Sequence, residues 1–357
     1  MPEVRKGMPD VQLTRDQFVR RFRERFADPG FELHTDALDR IADAAWDAYD
    51  NSRKAPHTRK AGPGYADPDY DLSVDWIEAS RKIAEAEQRQ KDPASPSRIL
   101  LINGAARSEH TCPGEMSKTF RLATIARKIF DSERGHEIEY LDLSRVTSEY
   151  GRNIYPCKTC VSTAMPLCHW PCSCYPNHSL GQMQDWMNEI YPMWAAAHGV
   201  MILCPVNWYQ TPSVLKLMID RLVCADGGNP DPTSTQGKQA ALAKEIELKG
   251  WHYPRHLAGR VFSVVVHGDS VGAETVQDAL TAWLTDMGLI GAGHLSQIGR
   301  YIGYMEAYAT SHDALDKDDP VQEETRNAAR SLVEAVKLMR QGELKQPDAK
   351  LREARPK

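Results

Sequence analysis

The chain has 357 residues, a formal net charge of -5, 41% hydrophobic and 26% charged residues. It is long enough to bury a sizeable core, as one large domain with additions or as two. The acidic balance argues against a nucleic-acid or anionic-membrane surface as the main partner, and no run approaches the roughly 20 apolar residues that span a bilayer.

The amino-terminal stretch MPEVRKGMPDVQLTRDQF carries charges with no apolar run behind them, unlike a secretory signal, so the expected compartment is the reducing cytoplasm. Thr14 followed by Gln17 forms a capping box for a helix that carries Phe18, Phe22 and Phe26 at four-residue spacing. A second helix is expected from Ala37 to Asp50. KAPHTRKAGPGYADPDYD is rich in Pro, Gly and Asp and reads as irregular. A third helix starts near Ser73 and fades into the linker QKDPASPS.

From Arg98 the pattern changes to short apolar runs alternating with amphipathic helices. The runs are ILLI (99–102), Ile138 to Leu143, VMILC (200–204), VFSVVV (261–266) and a segment after Met287. Helical stripes run through Leu122–Ile129, Val214–Leu222, Val276–Met287 and Val321–Met339. Near-continuous apolar strands alternating with helices imply an α/β fold, a parallel sheet covered on both faces. Five strands suit a flavodoxin-like doubly wound sheet, whose ligand site lies beyond the carboxyl ends of the strands. The functional loops are then those leaving strands one, three and four.

The first of these, NGAARSEHTCPGEMSKT (103–119), offers Gly104 for a tight turn, the forked cation of Arg107, and the hydroxyls of Ser108, Thr111, Ser117 and Thr119 ahead of a helix. That combination suits a phosphate, although a polar strand-to-helix turn is the plainer alternative. In the second, CPVNWYQTPSVLKLMIDRL (204–222), Pro205, Val206, Asn207, Trp208 and Tyr209 sit where a flat heteroaromatic ring would lie. Taken singly, Trp208 and Tyr209 are more often packing residues. In the third, HGDSVGAE, His267 and Asp269 could polarise a ring carbonyl, and Gly268 lets backbone approach a ligand; a hydrogen-bonded structural histidine is the plainer account of His267.

The set ILLINGAAR, CPVNWYQTPSVLKLMIDRL and VFSVVVHGDSVGAE resembles the NAD(P)H-dependent FMN reductases of the flavodoxin-like group, over about residues 98–305. The cysteine-bearing loop resembles that of the iron–sulfur flavoproteins within the group. The resemblance implies FMN as cofactor, its phosphate held by Arg107, Ser108, Ser117 and Thr119 near Gly104. It implies an isoalloxazine along Pro205, Val206, Asn207, Trp208 and Tyr209, with His267, Gly268 and Asp269 at the pyrimidine end. Ala105 and Ala106 stand where the family usually has Ser or Pro, and the phosphate loop is longer.

Five of eight cysteines crowd into PCKTCVSTAMPLCHWPCSC with spacing C-x2-C-x7-C-x3-C-x-C. Cys157, Cys160, Cys168 and Cys172 are the candidate metal ligands, with Cys174, His169 and His178 as substitutes. A [4Fe–4S] cluster, zinc, and metal-free thiols are all compatible with the spacing. Cys204 and Cys224 read as packing residues, and Cys112 is ambiguous. The cation run SRKAPHTRK (52–60) reads as a solvated face or a contact to NADPH phosphate or a neighbouring subunit.

The expected organisation is a helical extension (1–95), a flavodoxin-like FMN-binding domain (96–345) with a cysteine-rich loop (151–179) and an insertion (225–258), and a carboxyl-terminal tail (346–357). The insertion, with GWHYPRHLAG (250–259), is either a cover for the flavin face or a structural excursion. The expected function is a homo-oligomeric oxidoreductase in which FMN takes hydride from NAD(P)H and reduces a quinone-like or other small acceptor, either directly or through an iron–sulfur cluster. The alternative is an electron carrier that docks to a protein partner.

Overall fold

The computed structural model describes residues 13–50, 57–108, 116–175 and 185–346. Thr14 caps α1 (Arg15–Arg23): its hydroxyl oxygen accepts the Gln17 amide, and the Gln17 side chain accepts the Thr14 amide. Phe22 lies between Phe18 and Phe26, which falls in the short turn after α1, while Trp46 and Tyr49 of α2 (Thr35–Asp50) pack on Phe18.

The stretch expected to be irregular instead belongs to an antiparallel hairpin, β1 (Thr58–Lys60) with β2 (Asp71–Ser73). Its loop is fixed from far away in the chain: the Ala66 amide donates to Asp231 and the Gln236 side chain donates to Asp67, both at 2.7 Å. Turn composition correctly marks the loop but cannot reveal a partner so distant. α3 (Val74–Lys91) follows and buries Trp76, Ala79, Ile83 and Ala86.

Strand and helix then alternate. In chain order come β3 (Ser97–Asn103), α4 (Lys118–Ser132), β4 (His136–Asp142), the single turn α5 (Arg145–Ser148), α6 (Met187–Ala196) and β5 (Gly199–Pro205). They are followed by α7 (Ser213–Arg221), α8 (Ala240–Leu248), β6 (Val261–Gly268), α9 (Ala273–Asp286), β7 (Ile290–Gly291), β8 (Gln297–Tyr301), α10 (Ser311–Lys317) and α11 (Asp319–Arg340). α6, which carries Pro192 within an otherwise mostly apolar helix, has no counterpart among the expected helical stripes.

The main sheet runs β4-β3-β5-β6, with every pairing parallel. The fifth position is shared: β7 pairs with Val261–Phe262 and β8 with Val264–Gly268 of the same strand. This is the 2-1-3-4-5 order of the flavodoxin-like fold. Along β3, Leu100 and Ile102 face one cluster with α3, α6, α7 and α9, whereas Ile99 and Leu101 face the other with α4, α10 and α11. Two buried faces explain why the strands read as unbroken apolar runs. Among the described residues no helix is long and apolar enough to cross a membrane.

Buried polar groups fix the layers to one another. The Arg260 guanidinium donates to the Trp194 and Ala195 carbonyls at the end of α6. His198, ahead of β5, accepts the Arg98 amide at Nδ1 and donates from Nε2 to the Gln90 carbonyl, which demands a neutral ring. Burial, and then the charge of Arg340, push His198 down to about 4 from its ordinary 6.5. Because the folded state takes this proton only near pH 4 and the unfolded state takes it near 6.5, acid favours unfolding in between. Melting temperatures followed by circular dichroism are expected to fall as pH drops from 6.5 toward 4, and His198→Gln is expected to make that decline shallower.

Candidate functional site

β4 and β5 lie on opposite sides of β3, and the crossover through α4 packs on the face opposite to α6 and α7. The chain therefore leaves the carboxyl ends of β3 and β5 in divergent directions, which is where doubly wound sheets bind ligands.

On the β3 side, Asn103 donates to Asp142 at 3.0 Å and accepts the Ala105 amide, so its side chain sets the exit of the first loop. Gly104 is needed for close approach rather than for a turn: a Cβ there would meet Leu215 Cδ2 at 2.9 Å and the Leu203 carbonyl at 3.1 Å. Arg107 lies 3.1 Å from His312 Nε2, and Ser108 is buried. Residues 109–115, with Thr111 and Cys112, lie outside the described residues. Ser117 caps α4 with its hydroxyl oxygen toward the Phe120 amide. Thr119 is turned inward, fully buried, with its hydroxyl 2.8 Å from His267 Nε2.

On the β5 side, the Val206 amide donates to the His267 carbonyl, which joins the second loop to the third. Asn207 and Gln210 exchange both backbone hydrogen bonds, at 2.9 and 3.0 Å, and enclose Trp208 and Tyr209 at φ of 47° and 66°. Two central residues at positive φ define a primed two-residue turn, which ordinarily takes Asn and Gly. The side chains are not packing residues: Trp208 is 94% exposed and Tyr209 59%. Gly272 fits beside the Tyr209 backbone and ring, and a Cβ there would stand 3.4–3.5 Å from them.

On the β6 side, His267 is a buried, hydrogen-bonded histidine. Burial, reinforced by the charge of Lys118, pushes its imidazole down to about 4. Its Nε2 meets Thr119, while Nδ1 is buried with no hydrogen-bond partner among the described residues. Gly268 lies between Val206 and Tyr301. Asp269 is paired at 3.3 Å with Lys118, a residue the loop analysis overlooks. Lys118 is 5% exposed and also donates to the Ile302 carbonyl at 3.1 Å. Its signal in the sequence was a cation at the first position of a helix, where the macrodipole disfavours one.

The cysteine loop draws part of the expected ligand set together. All seven described cysteines are free thiols. Cys160 contacts Cys168 and Cys174, and Cys172 contacts Cys174, whereas the Cys157 sulfur accepts the Thr159 amide. Among the described residues no group of three or more His, Cys, Asp or Glu side chains could hold a metal ion. The Lys238 ammonium donates to the Leu167 carbonyl at 2.6 Å and lies 3.7 Å from Cys160 Sγ. Contact with Cys168, together with burial, pushes Cys160 up to about 11, against the opposing effect of Cys174. Contact with Cys174 and burial push Cys172 well above the thiol range. His169 is occupied at both nitrogens, by Ser173 at 2.5 Å and Thr235 at 2.8 Å, and His178 lies outside the described residues. Cys204 and Cys224 are buried packing residues, as expected.

The insertion packs on this cysteine loop. His256 stacks on Trp170 at 5.1 Å, and the Asn229 side chain donates to the Pro166 carbonyl. Arg221 anchors the loop from α7: it pairs with Asp185, donates to the Tyr155 carbonyl and lies over the Tyr175 ring at 4.5 Å.

Sheet order and the three loops at its switch point define a flavodoxin-like α/β protein. The chain matches the NADPH-dependent FMN reductase family over residues 97–298, more than half its length, and belongs to that family; it is an oxidoreductase. No curated protein matches it. Among solved structures it is similar to RosB with a bound 8-demethyl-8-formylriboflavin-5'-phosphate intermediate, at 14% identity over 70% of this chain and 82% of that one, TM-score 0.47. It is also similar to the apo form of the NADH:FMN oxidoreductase EMOB, at 14% identity over 71% and 92%, TM-score 0.37. An azoreductase from Bacillus anthracis str. Sterne is 12% identical over 69% and 99%, TM-score 0.35.

Arg221 and Asp185 are each 1% exposed in their side chains, so breaking the pair strands a buried charge. Asp185→Ala is expected to cost about 3–5 kcal/mol in urea unfolding, whereas the double variant Asp185→Leu with Arg221→Met recovers most of it.

Proposed function

We propose that the three loops bind FMN and that the protein oxidises NAD(P)H and reduces a small acceptor such as a quinone. Family membership carries this reading, and the convergence of the loops on one rim of the sheet supports it. The residues fit the nucleotide. Gly104 ends β3 close against Leu203 and Leu215, the amino end of α4 follows the first loop, and among the described residues His267 Nδ1 is buried without a hydrogen-bond partner.

In this reading Arg107, Ser108 and Ser117 hold the phosphate together with the amino end of α4, whose dipole favours an anion. Thr119 acts one layer deeper, by holding His267. Pro205, Val206 and Asn207 present backbone along the ring, while Trp208 and Tyr209 supply exposed aromatic surface at its edge. Gly268 and Asp269 lie at the pyrimidine end, with Asp269 steadied by Lys118. FMN, when bound, supplies the two-electron chemistry, accepting hydride from NAD(P)H and delivering it to the acceptor. The protein binds, orients and sets charge, and no protein acid or base is required. The cysteines take no part in electron transfer in this reading.

On the same footing we propose residues 96–345 as the cofactor domain, 1–95 as an extension wrapped on it through α3, 346–357 as a tail, a homo-oligomeric state and a cytoplasmic location. Purified protein incubated with FMN and desalted is expected to keep about one FMN per chain by absorbance. It is then expected to consume NADPH or NADH in the presence of a soluble quinone. Retained FMN without NAD(P)H consumption would instead favour an electron carrier, and no retained FMN overturns the proposal.

A further inference from the structure

The proposed function gives Lys118 no role beyond steadying Asp269. Its ammonium is buried at the first position of α4, a helix of 15 residues, where both desolvation and the helix dipole oppose a positive charge. Specific partners offset those costs. Lys118 Nζ reaches Asp269 Oδ1 at 3.3 Å and the Ile302 carbonyl at 3.1 Å. Around them the Ile302 amide donates to the Gly268 carbonyl and the Met305 amide to the Asp269 carbonyl. One side chain therefore ties the start of α4, the loop after β6 and the chain leaving β8.

The two charges are not equivalent. The Asp269 side chain is 37% exposed and screened by water, whereas that of Lys118 is 5% exposed. The neighbouring His267 is held neutral at physiological pH. The buried cation is therefore less screened by water than its carboxylate partner.

We propose that Lys118 is a positioning residue that latches the loop after β6 onto α4 and favours the reduced over the oxidised form of a flavin nucleotide bound there. The inference rests on the FMN reading. Hydride transfer from NAD(P)H moves two electrons and one proton onto the cofactor, leaving it one negative charge richer and releasing NAD(P)+. A fixed cation beside the pyrimidine end stabilises that added charge more than it stabilises the oxidised ring.

The test compares dissociation constants for oxidised and anaerobically reduced FMN, measured by absorbance and fluorescence titration, with the midpoint potential as a second readout. Lys118→Met is expected to lower the preference for reduced FMN about tenfold, equivalent to about 30 mV for a two-electron couple. Lys118→Arg is expected to keep the preference within about threefold. Asp269→Asn removes the compensating anion and is expected to shift the preference the opposite way, toward reduced FMN. A purely structural latch would move both variants in the same direction, and that result overturns the proposal, as does an unchanged preference in Lys118→Met. If Lys118→Met does not fold, the sign of the Asp269→Asn shift decides. Failure of the wild-type protein to bind FMN in either form sinks the functional reading itself, an outcome separable from loss of the preference alone.

Discussion

The reversal of strand order at β3 is the constraint from which the site follows. A parallel sheet needs a crossover after each strand, and the crossovers leaving β3 and β5 pack on opposite faces. Neither helix can then close over the carboxyl ends of these two strands. The exits are left to loops, and loops need fixed anchors. Asn103 with Asp142 supplies one, and the backbone bond from Val206 to His267 supplies another. Gly104 fits only because its lack of a Cβ lets β3 end directly against Leu203 and Leu215.

Two ion pairs, one fully buried and one half-buried, serve different parts of this frame. Arg221 and Asp185 are sealed in the interior and fasten the cysteine loop to α7, beneath the insertion. Lys118 and Asp269 lie at the rim, one buried and one half open to water. Matched burial makes the first pair a structural joint. Unequal burial gives the second a residual field, and it lies between two of the loops proposed to contact the cofactor. Near the first pair, contact with neighbouring cysteines and burial push Cys160 and Cys172 up, and Lys238 lies between Cys160 and the Leu167 carbonyl.

The sheet and most helices were legible because two-sided burial writes itself into the chain as apolar runs and 3.6-residue stripes. The family was legible in Pro205 through Arg221 and in the three loop sequences, since turns at strand ends are local. What escaped was long-range or ambivalent. The hairpin of β1 and β2 is fixed by Asp231 and Gln236, more than 150 residues away. α6 was hidden by Pro192, and the split of the fifth strand by its short halves. Cysteine spacing suggested ligands, but spacing along a chain does not say whether sulfurs converge, and Cys157 turns to its own loop. Lys118 was overlooked because its significance comes from burial, which a lysine in a polar loop does not announce.

The turn at Trp208 and Tyr209 bears on any attempt to harden this protein. Left-handed backbone at two bulky residues costs on the order of 1–3 kcal/mol each, and an Asn-Gly pair would take the same shape without that cost. A library screened only for heat resistance would therefore be drawn to replace both aromatics. The survivors would fold more firmly while losing the indole and phenol that stand at the mouth of the proposed site.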